Sequence, residues 1–168
     1  MRGPWLLRAG LAGLAPTWAV LLLLTPGWST LSGTGVGQGR VTVAALVRVA
    51  GAQVCHQRSE RSFHLHGRPL PVCGRCTGLY IAGAVGLLAA STRRRRRERT
   101  RTRTEWPSWW PGKLDARAGH LVVAAVPTAL TWLLEVAGAW NPGTPLRALA
   151  ALPLGLTAGW LIGRALDD

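Results

Sequence analysis

Charged residues are concentrated in a few short segments of this 168-residue chain, and long apolar segments separate them. They make up 16% of the sequence, with 20 Lys or Arg against 7 Asp or Glu. A soluble domain spreads its charges over its exterior, because all of that surface faces water. The clustering of charge, together with a mean hydropathy of +0.18, therefore predicts an all-α integral membrane protein, folded as a polytopic helical bundle.

About four transmembrane helices are predicted from the apolar segments. They lie at residues 9–24, 77–91, 119–140 and 146–166. The first could be a signal peptide, but residues 25–28 lack a small-residue cleavage site, so we favour a retained helix. A further apolar segment at 41–54 would form a helix about 21 Å long, short of the ~30 Å hydrocarbon core. It is a fifth short span, a re-entrant segment or an interfacial helix.

The chain divides into two predicted parts. Residues 1–54 contain the first membrane helix, a flexible linker and the short apolar segment, and residues 55–168 contain a Cys/His motif followed by a three-helix membrane domain. An Arg-rich loop at 92–118 interrupts that domain and includes eight arginines between Arg93 and Arg103. Cytoplasmic loops of membrane proteins are enriched in Lys and Arg. We therefore expect a multi-pass protein of the cell membrane, with this loop cytoplasmic and the Cys/His motif extracytoplasmic.

A net charge of +13 also raises the question of nucleic-acid binding. A nucleic-acid-binding module would show a basic helix face, or aromatic residues interleaved with basic ones. The sequence shows neither pattern, and the excess of arginine matches the cytoplasmic bias of membrane proteins. We expect the lipid bilayer as the partner and no nucleic acid. The sequence assigns no protein partner and no oligomeric state.

The Cys73-x-x-Cys76 pair is the tightest chemical signal in the sequence. Two thiols at this spacing can bind one metal ion or form a small disulfide. Both chemistries use thiolates, which the positive end of a helix dipole favours. Arg75 between them adds positive charge. This pair therefore supports metal binding and redox chemistry equally.

Further candidate ligands lie in the same stretch and favour a metal. All three cysteines and three of the four histidines fall within residues 55–76. Cys55 and His56 would complete a Cys₃His set with Cys73 and Cys76, as in structural zinc sites. Neighbouring residues rarely bind one tetrahedral ion together, so two nearby histidines are the alternatives that could replace or supplement His56. These are His64 and His66.

Three functions remain open, and the sequence favours a non-enzymatic role. The leading prediction is a metal-binding membrane protein with zinc, because thiolates with imidazole suit that ion. The second is a membrane thiol–disulfide oxidoreductase that uses Cys73 and Cys76, and the third is a small transporter or channel subunit. A metal site should need His56, whereas a redox pair should not.

Other polar and small residues carry structural predictions. Glu135 lies inside an apolar span, where a charge is costly unless it is partnered. We predict that it pairs with Arg147 across the turn at 141–145, beneath the Cys/His motif. Two faces of small residues should allow close helix packing; they are Gly78, Ala82, Gly86 and Ala90, and Gly155, Gly159 and Gly163. Four arginines could bind anionic headgroups or phosphate; they are Arg58, Arg61, Arg68 and Arg75.

The motif resembles a known family, the predicted prokaryotic membrane proteins called domain of unknown function 2085. The resemblance covers roughly residues 45–165. Its central block is Cys55-His56-Gln57, Arg61-Ser62-Phe63, Pro71-Val72-Cys73, Arg75-Cys76-Thr77-Gly78, Tyr80 and Gly83. A looser match follows at Trp132, Gly138, Asn141, Arg147 and Gly155. The resemblance implies a multi-helix membrane protein with a Cys/His cluster at one membrane face, and no particular reaction. The family commonly has an acidic residue where this chain has Thr131.

Overall fold

The structure is a computed structural model that describes residues 3–28, 35–99 and 113–166. Its helices are α1 (Gly3–Trp28), α2 (Gly35–Ala52), α3 (Gly74–Arg99), α4 (Lys113–Val136) and α5 (Thr144–Ala165). A short 3-10 turn (Ser59–Arg61) and the strands β1 (His64–Leu65) and β2 (Arg68–Pro69) lie between α2 and α3. The predicted helical class is confirmed. The two short strands are the only sheet among the described residues.

Helices α3 and α5 form the most extensive interface in the described part of the chain. Their backbones approach so closely that a Cβ on Gly159 would overlap the carbonyl of Gly83. A Cβ on Gly86 would likewise overlap the carbonyl of Leu156. Such contact is possible only where side chains are absent, and helices in lipid pack in this way. The two faces of small residues seen in the sequence therefore pack against each other.

The remaining helices flank this pair. Helix α4 packs on α5, where the Thr128 hydroxyl donates a hydrogen bond to the Ala150 carbonyl at 2.7 Å. Helix α1 packs on α3 and α2. Trp18 and Tyr80 meet edge to face there, with ring centroids 6.2 Å apart. Beside them lies a small apolar cluster made of Leu22, Val47, Cys55 and Val72. One of the cysteines is thus part of the packed interior.

Among the described residues, two helices are long and apolar enough to cross a membrane, at Ala118–Val136 and Thr144–Ala165. Only 11% of the first window and 33% of the second is buried within the protein. A core helix of a soluble protein would be mostly buried, so this apolar exterior indicates contact with lipid. The described part of α1 includes a shorter apolar helix, Gly13–Trp28. Spans at α1 and α3 stay predictions.

Helical structure extends beyond several of the predicted boundaries. The loop predicted at 92–118 is helical up to Arg99 and again from Lys113, and its residues 100–112 lie outside the described ones. Arginine is a good helix former, so α3 continues past its apolar part. The segment predicted at 41–54 belongs to α2, which begins at Gly35 and ends at Ala52. It is not among the candidate spans in the described residues.

The segment between Cys55 and Cys73 contains a short hairpin that was not predicted from the sequence. His64 pairs with Pro69 and Leu65 with Arg68 in an antiparallel register. The two residues that connect the strands have positive φ, 52° at His66 and 73° at Gly67. Two such residues form the tight turn that matches the twist of a hairpin, and histidine tolerates this conformation better than most residues.

The α3–α5 interface leads to a first prediction. The Gly159→Ala substitution should destabilise the protein by about 1–3 kcal/mol, because its methyl group has no room beside the Gly83 carbonyl. Gly13→Ala is the matched control, since a Cβ on Gly13 meets nothing within 4 Å. Thermal unfolding in detergent would measure both variants. Equal stability of the two would show that α3 and α5 do not pack this closely.

Candidate functional site

The three cysteines converge at one end of α3. Cys55 follows the end of α2, Cys73 immediately precedes α3, and Cys76 lies in its first turn. Their sulfur atoms all lie within 4.8 Å of one another. Cys55 is buried, and the other two are half-buried. We call this group the cysteine cluster.

Local structure accounts for the positions of Cys73 and Cys76. Residues three apart on a helix lie on the same face, so a Cys-x-x-Cys pair that begins a helix directs both sulfurs to one side. Thr77 fixes this first turn, because its amide and hydroxyl donate to the Cys73 carbonyl at 2.9 and 3.0 Å. The pair is therefore presented by a rigid helix start.

Cys55 contacts the Cys73–Cys76 pair through a hydrogen bond from the backbone. The amide of Cys73 donates a hydrogen bond to the Cys55 sulfur, with a separation of 3.2 Å. The end of α2 is also pressed against the segment that precedes Cys73. A Cβ on Gly51 would lie only 2.9 Å from the Pro71 carbonyl oxygen. Glycine at the end of α2 thus allows the two segments to meet.

Gln57 supports the same region and was not predicted as a site residue. Its φ is 50°, and its side-chain amide donates to the Arg48 carbonyl at 2.6 Å. The last carbonyls of a helix lack partners within the helix, so this bond satisfies one of them at the end of α2. Its position in the Cys-His-Gln motif was the only sequence signal, and that signal did not reveal this role.

Cys73 and Cys76 lie before the predicted span at 77–91, and their protonation is unequal. A hydrogen bond from the Cys76 thiol lowers the pKa of Cys73 to about 5, although burial acts in the opposite direction. That same bond and burial raise the pKa of Cys76. The pair therefore shares one proton, which stays on Cys76 while Cys73 is a thiolate at neutral pH.

The candidate histidines do not join the cysteine cluster in the described residues. His56 is exposed beside Cys55, and His64 and His66 are exposed in the hairpin. The structure therefore brings together three of the four ligands predicted from the sequence. A histidine as fourth ligand stays a prediction.

A second cluster surrounds Glu135. Its carboxylate lies 2.9 Å from Arg61 Nη1, 2.8 Å from Arg75 Nη2 and 3.0 Å from Arg147 Nη2. Arg147 also donates to the Asn141 side-chain oxygen at 2.6 Å. The sequence predicted Arg147 as the partner of Glu135, whereas Arg61, Arg75 and Asn141 were not predicted to be near it. We call Glu135 and its three arginines the arginine cluster.

Arg75 connects the two clusters. It lies between Cys73 and Cys76 in sequence and reaches Glu135 on α4, 60 residues away. Contacts between residues so far apart leave no local pattern that sequence reasoning could have used. The start of α3 is thereby tied to α4 as well as to α5.

In the comparisons with known proteins, the region that matches a family contains both clusters. Residues 55–161 match the family described as "Predicted membrane protein (DUF2085)". An uncharacterised protein of Methanocaldococcus jannaschii is 25% identical over 109 residues, which cover 65% of this chain and 61% of that protein. An uncharacterised protein of Methanothermobacter thermautotrophicus is 43% identical over 37 residues, 22% of this chain and 33% of that protein. The chain thus spans less than two thirds of either relative. No solved structure matches it.

The unequal protonation leads to a prediction for the metal-free, reduced protein. Cys73 should react with iodoacetamide almost as fast at pH 6 as at pH 8, because a pKa of about 5 keeps it a thiolate at both values. An ordinary thiol loses about tenfold in rate per pH unit below its pKa of ~8.5. Mass spectrometry of the Cys73 peptide measures the rate.

The Cys76→Ala variant is the control for this measurement. It removes the hydrogen bond to Cys73, so the strong pH dependence of an ordinary thiol should return. If Cys73 in the unmodified protein already showed that strong dependence, the shared proton would be refuted.

Glu135 leads to a separate prediction. Replacing it with Gln removes the carboxylate that pairs with Arg61, Arg75 and Arg147. Breaking a buried ion pair from one side typically costs about 3–5 kcal/mol, so the unfolding temperature in detergent should fall clearly. Glu60→Gln is the matched control, because Glu60 is exposed. Equal unfolding temperatures for the two variants would mean that the ion pairs add little stability.

Proposed function

The chain belongs to the DUF2085 family of predicted membrane proteins, and on that premise we propose that it is a membrane metal-binding protein. The ion is of the zinc class and is held by Cys55, Cys73 and Cys76. The observation that carries this proposal is the convergence of three sulfur atoms within 4.8 Å of one another. Two of these cysteines are close in sequence, but the third comes from a different segment.

The donor set fits zinc. Zinc–thiolate bonds are about 2.3 Å long, so two sulfurs on a tetrahedral ion lie about 3.8 Å apart. Small side-chain rotations would bring the three sulfurs to that separation. Thiolates repel one another at this range, and a cation removes the repulsion. Soft sulfur ligands favour zinc over the hard ions magnesium and calcium.

His56 is the proposed fourth ligand. It follows Cys55 directly, and its side chain is exposed. His64 and His66 are its proposed substitutes. Where a histidine completes the set, the site is closed and structural, whereas a site completed by water keeps an open position.

The proposed location is the cell membrane, with the cysteine cluster extracytoplasmic and the Arg-rich region cytoplasmic. The support is the concentration of arginine after residue 92, at the opposite end of α3 from the cysteines. Cytoplasmic segments are enriched in arginine. We also propose a non-enzymatic role, with lipid rather than nucleic acid as the partner.

Thiol–disulfide exchange is the second candidate function, and the unequal protonation of the pair favours it. The Cys73 thiolate would attack a disulfide of the substrate, form a mixed disulfide and release one substrate thiolate. Cys76 would then give its proton to that released thiolate and attack the Cys73 sulfur of the mixed disulfide, which displaces the second substrate thiolate. The substrate disulfide is reduced by two electrons, and a Cys73–Cys76 disulfide forms. Transport has no such support, because Glu135, the charged residue inside a candidate span, is paired with three arginines.

Metal content tests the proposal directly. Protein purified in detergent without added metal or chelator should contain about one zinc per chain, because three thiolates bind this ion tightly. Cys55→Ser and Cys73→Ser should each abolish binding. His56→Ala should weaken it strongly, and His120→Ala is the matched control, because that histidine is exposed on α4, outside the Cys/His motif.

The opposite result would favour the second function. Protein that contains no metal, one free thiol and a reducible Cys73–Cys76 bond would refute the zinc proposal. Metal that persists in His56→Ala would leave the three-cysteine site intact and remove His56 from it.

A further inference from the structure

We propose that the arginine cluster is an oxyanion site that binds a phosphate group. This inference is independent of the metal proposal, because it depends on Glu135 and its three arginines. The cluster lies beside the cysteines but uses different side chains.

The first argument is charge. Three guanidinium groups carry three positive charges, and Glu135 supplies a single negative charge. No other carboxylate pairs with these arginines among the described residues. The side chain of Arg147 is only 4% exposed and that of Arg75 only 17% exposed. Excess charge in such a place is costly unless an anion accompanies it.

The second argument is the number of hydrogen-bond donors. A guanidinium carries five N–H groups, but each arginine approaches Glu135 through one terminal nitrogen only. The Nε atoms of Arg75 and Arg147 are buried and have no acceptor. Buried donors normally have partners. The cluster therefore has unused donors as well as unused positive charge.

Arg61 provides the route of access. Its side chain is 39% exposed, and it lies on the short 3-10 turn at the protein surface. An anion that approaches from solvent meets Arg61 first and then the half-buried Arg75. Planar guanidinium groups bind two oxygens of a phosphate side by side, which favours phosphate over a spherical anion. Arg147 adds positive charge from within the protein.

The position of the cluster also suits phosphate. Glu135 is at the end of the candidate span Ala118–Val136, and Arg147 is in the first turn of the span Thr144–Ala165. Both residues therefore lie near the end of an apolar helix, where lipid phosphates are found. The same oxyanion chemistry is available from a lipid headgroup or from free phosphate in solution.

Thermal unfolding of the full chain in a neutral detergent tests this inference. Its nine tryptophans report the transition. The probes are inorganic phosphate and dioctanoyl phosphatidylglycerol at fixed ionic strength, with dioctanoylglycerol as the lipid without phosphate. We expect a saturable rise in Tm with a phosphate-bearing probe and no rise with dioctanoylglycerol. A rise with both phosphate probes identifies the free group as sufficient, and a rise with the lipid alone identifies the headgroup.

Three variants make the test specific. Arg61→Gln should weaken the apparent affinity at least tenfold, and Arg61→Lys should retain part of it, because lysine keeps the charge but loses the planar fork. Arg58→Gln, an exposed arginine on the same segment, should bind as the unmodified protein does. Arg61 is partly exposed, so its replacement should leave the fold intact.

Several results would overturn the proposal. These are the lack of a saturable shift with either phosphate probe, an equal shift with dioctanoylglycerol, and an equal loss in Arg58→Gln and Arg61→Gln. Zinc content measured on Arg61→Gln keeps the two proposals apart. Unchanged zinc with lost phosphate binding assigns the effect to the arginine cluster alone.

Discussion

One carboxylate links segments that are distant in the chain. Glu135 on α4 is contacted by Arg61 from the 3-10 turn, Arg75 from α3 and Arg147 from α5. Helices in lipid gain little from the hydrophobic effect when they associate, so packing and polar contacts hold them together. The orientation of the cysteine-bearing end of α3 relative to α4 therefore depends on this residue. The candidate span Ala118–Val136 can contain Glu135 because the charge of this residue is compensated by the arginines.

Helix α3 takes part both in the main helix interface and in the cysteine and arginine clusters. Its first turn carries Cys76 and Arg75, and its glycine face packs directly against the backbone of α5. Close backbone contact leaves little freedom for a helix to slide or rotate. Cys73 and Cys76 are consequently held in a fixed position. The cluster then depends on contacts that place the segment with Cys55 beside them. The Cys73 amide and the contact at Gly51 do so.

Structural features that depend on a pattern within one segment could be predicted from the sequence. The helical class followed from hydropathy, and the packing faces followed from glycines spaced four apart, because both signals repeat along a single helix. Contacts between segments that are distant in the chain could not be predicted. Arg75 and Glu135 are 60 residues apart, and the close approach of Cys55 to Cys73 depends on how α2 meets the loop after it. The hairpin was missed because its turn uses histidine rather than the usual asparagine or aspartate before glycine.

The two proposed sites are complementary in charge. A divalent ion bound by three thiolates leaves one net negative charge, while the arginine cluster has an excess of positive charge. Arg75 lies between two of the cysteines, so the low dielectric around it strengthens the attraction between the two clusters. A metal ion held by the three cysteines would therefore lower the excess positive charge near Arg75 without supplying an acceptor for the buried Nε atoms of Arg75 and Arg147. Those unpaired donors, rather than net charge alone, are what a bound phosphate would satisfy, so the two sites keep separate ligands.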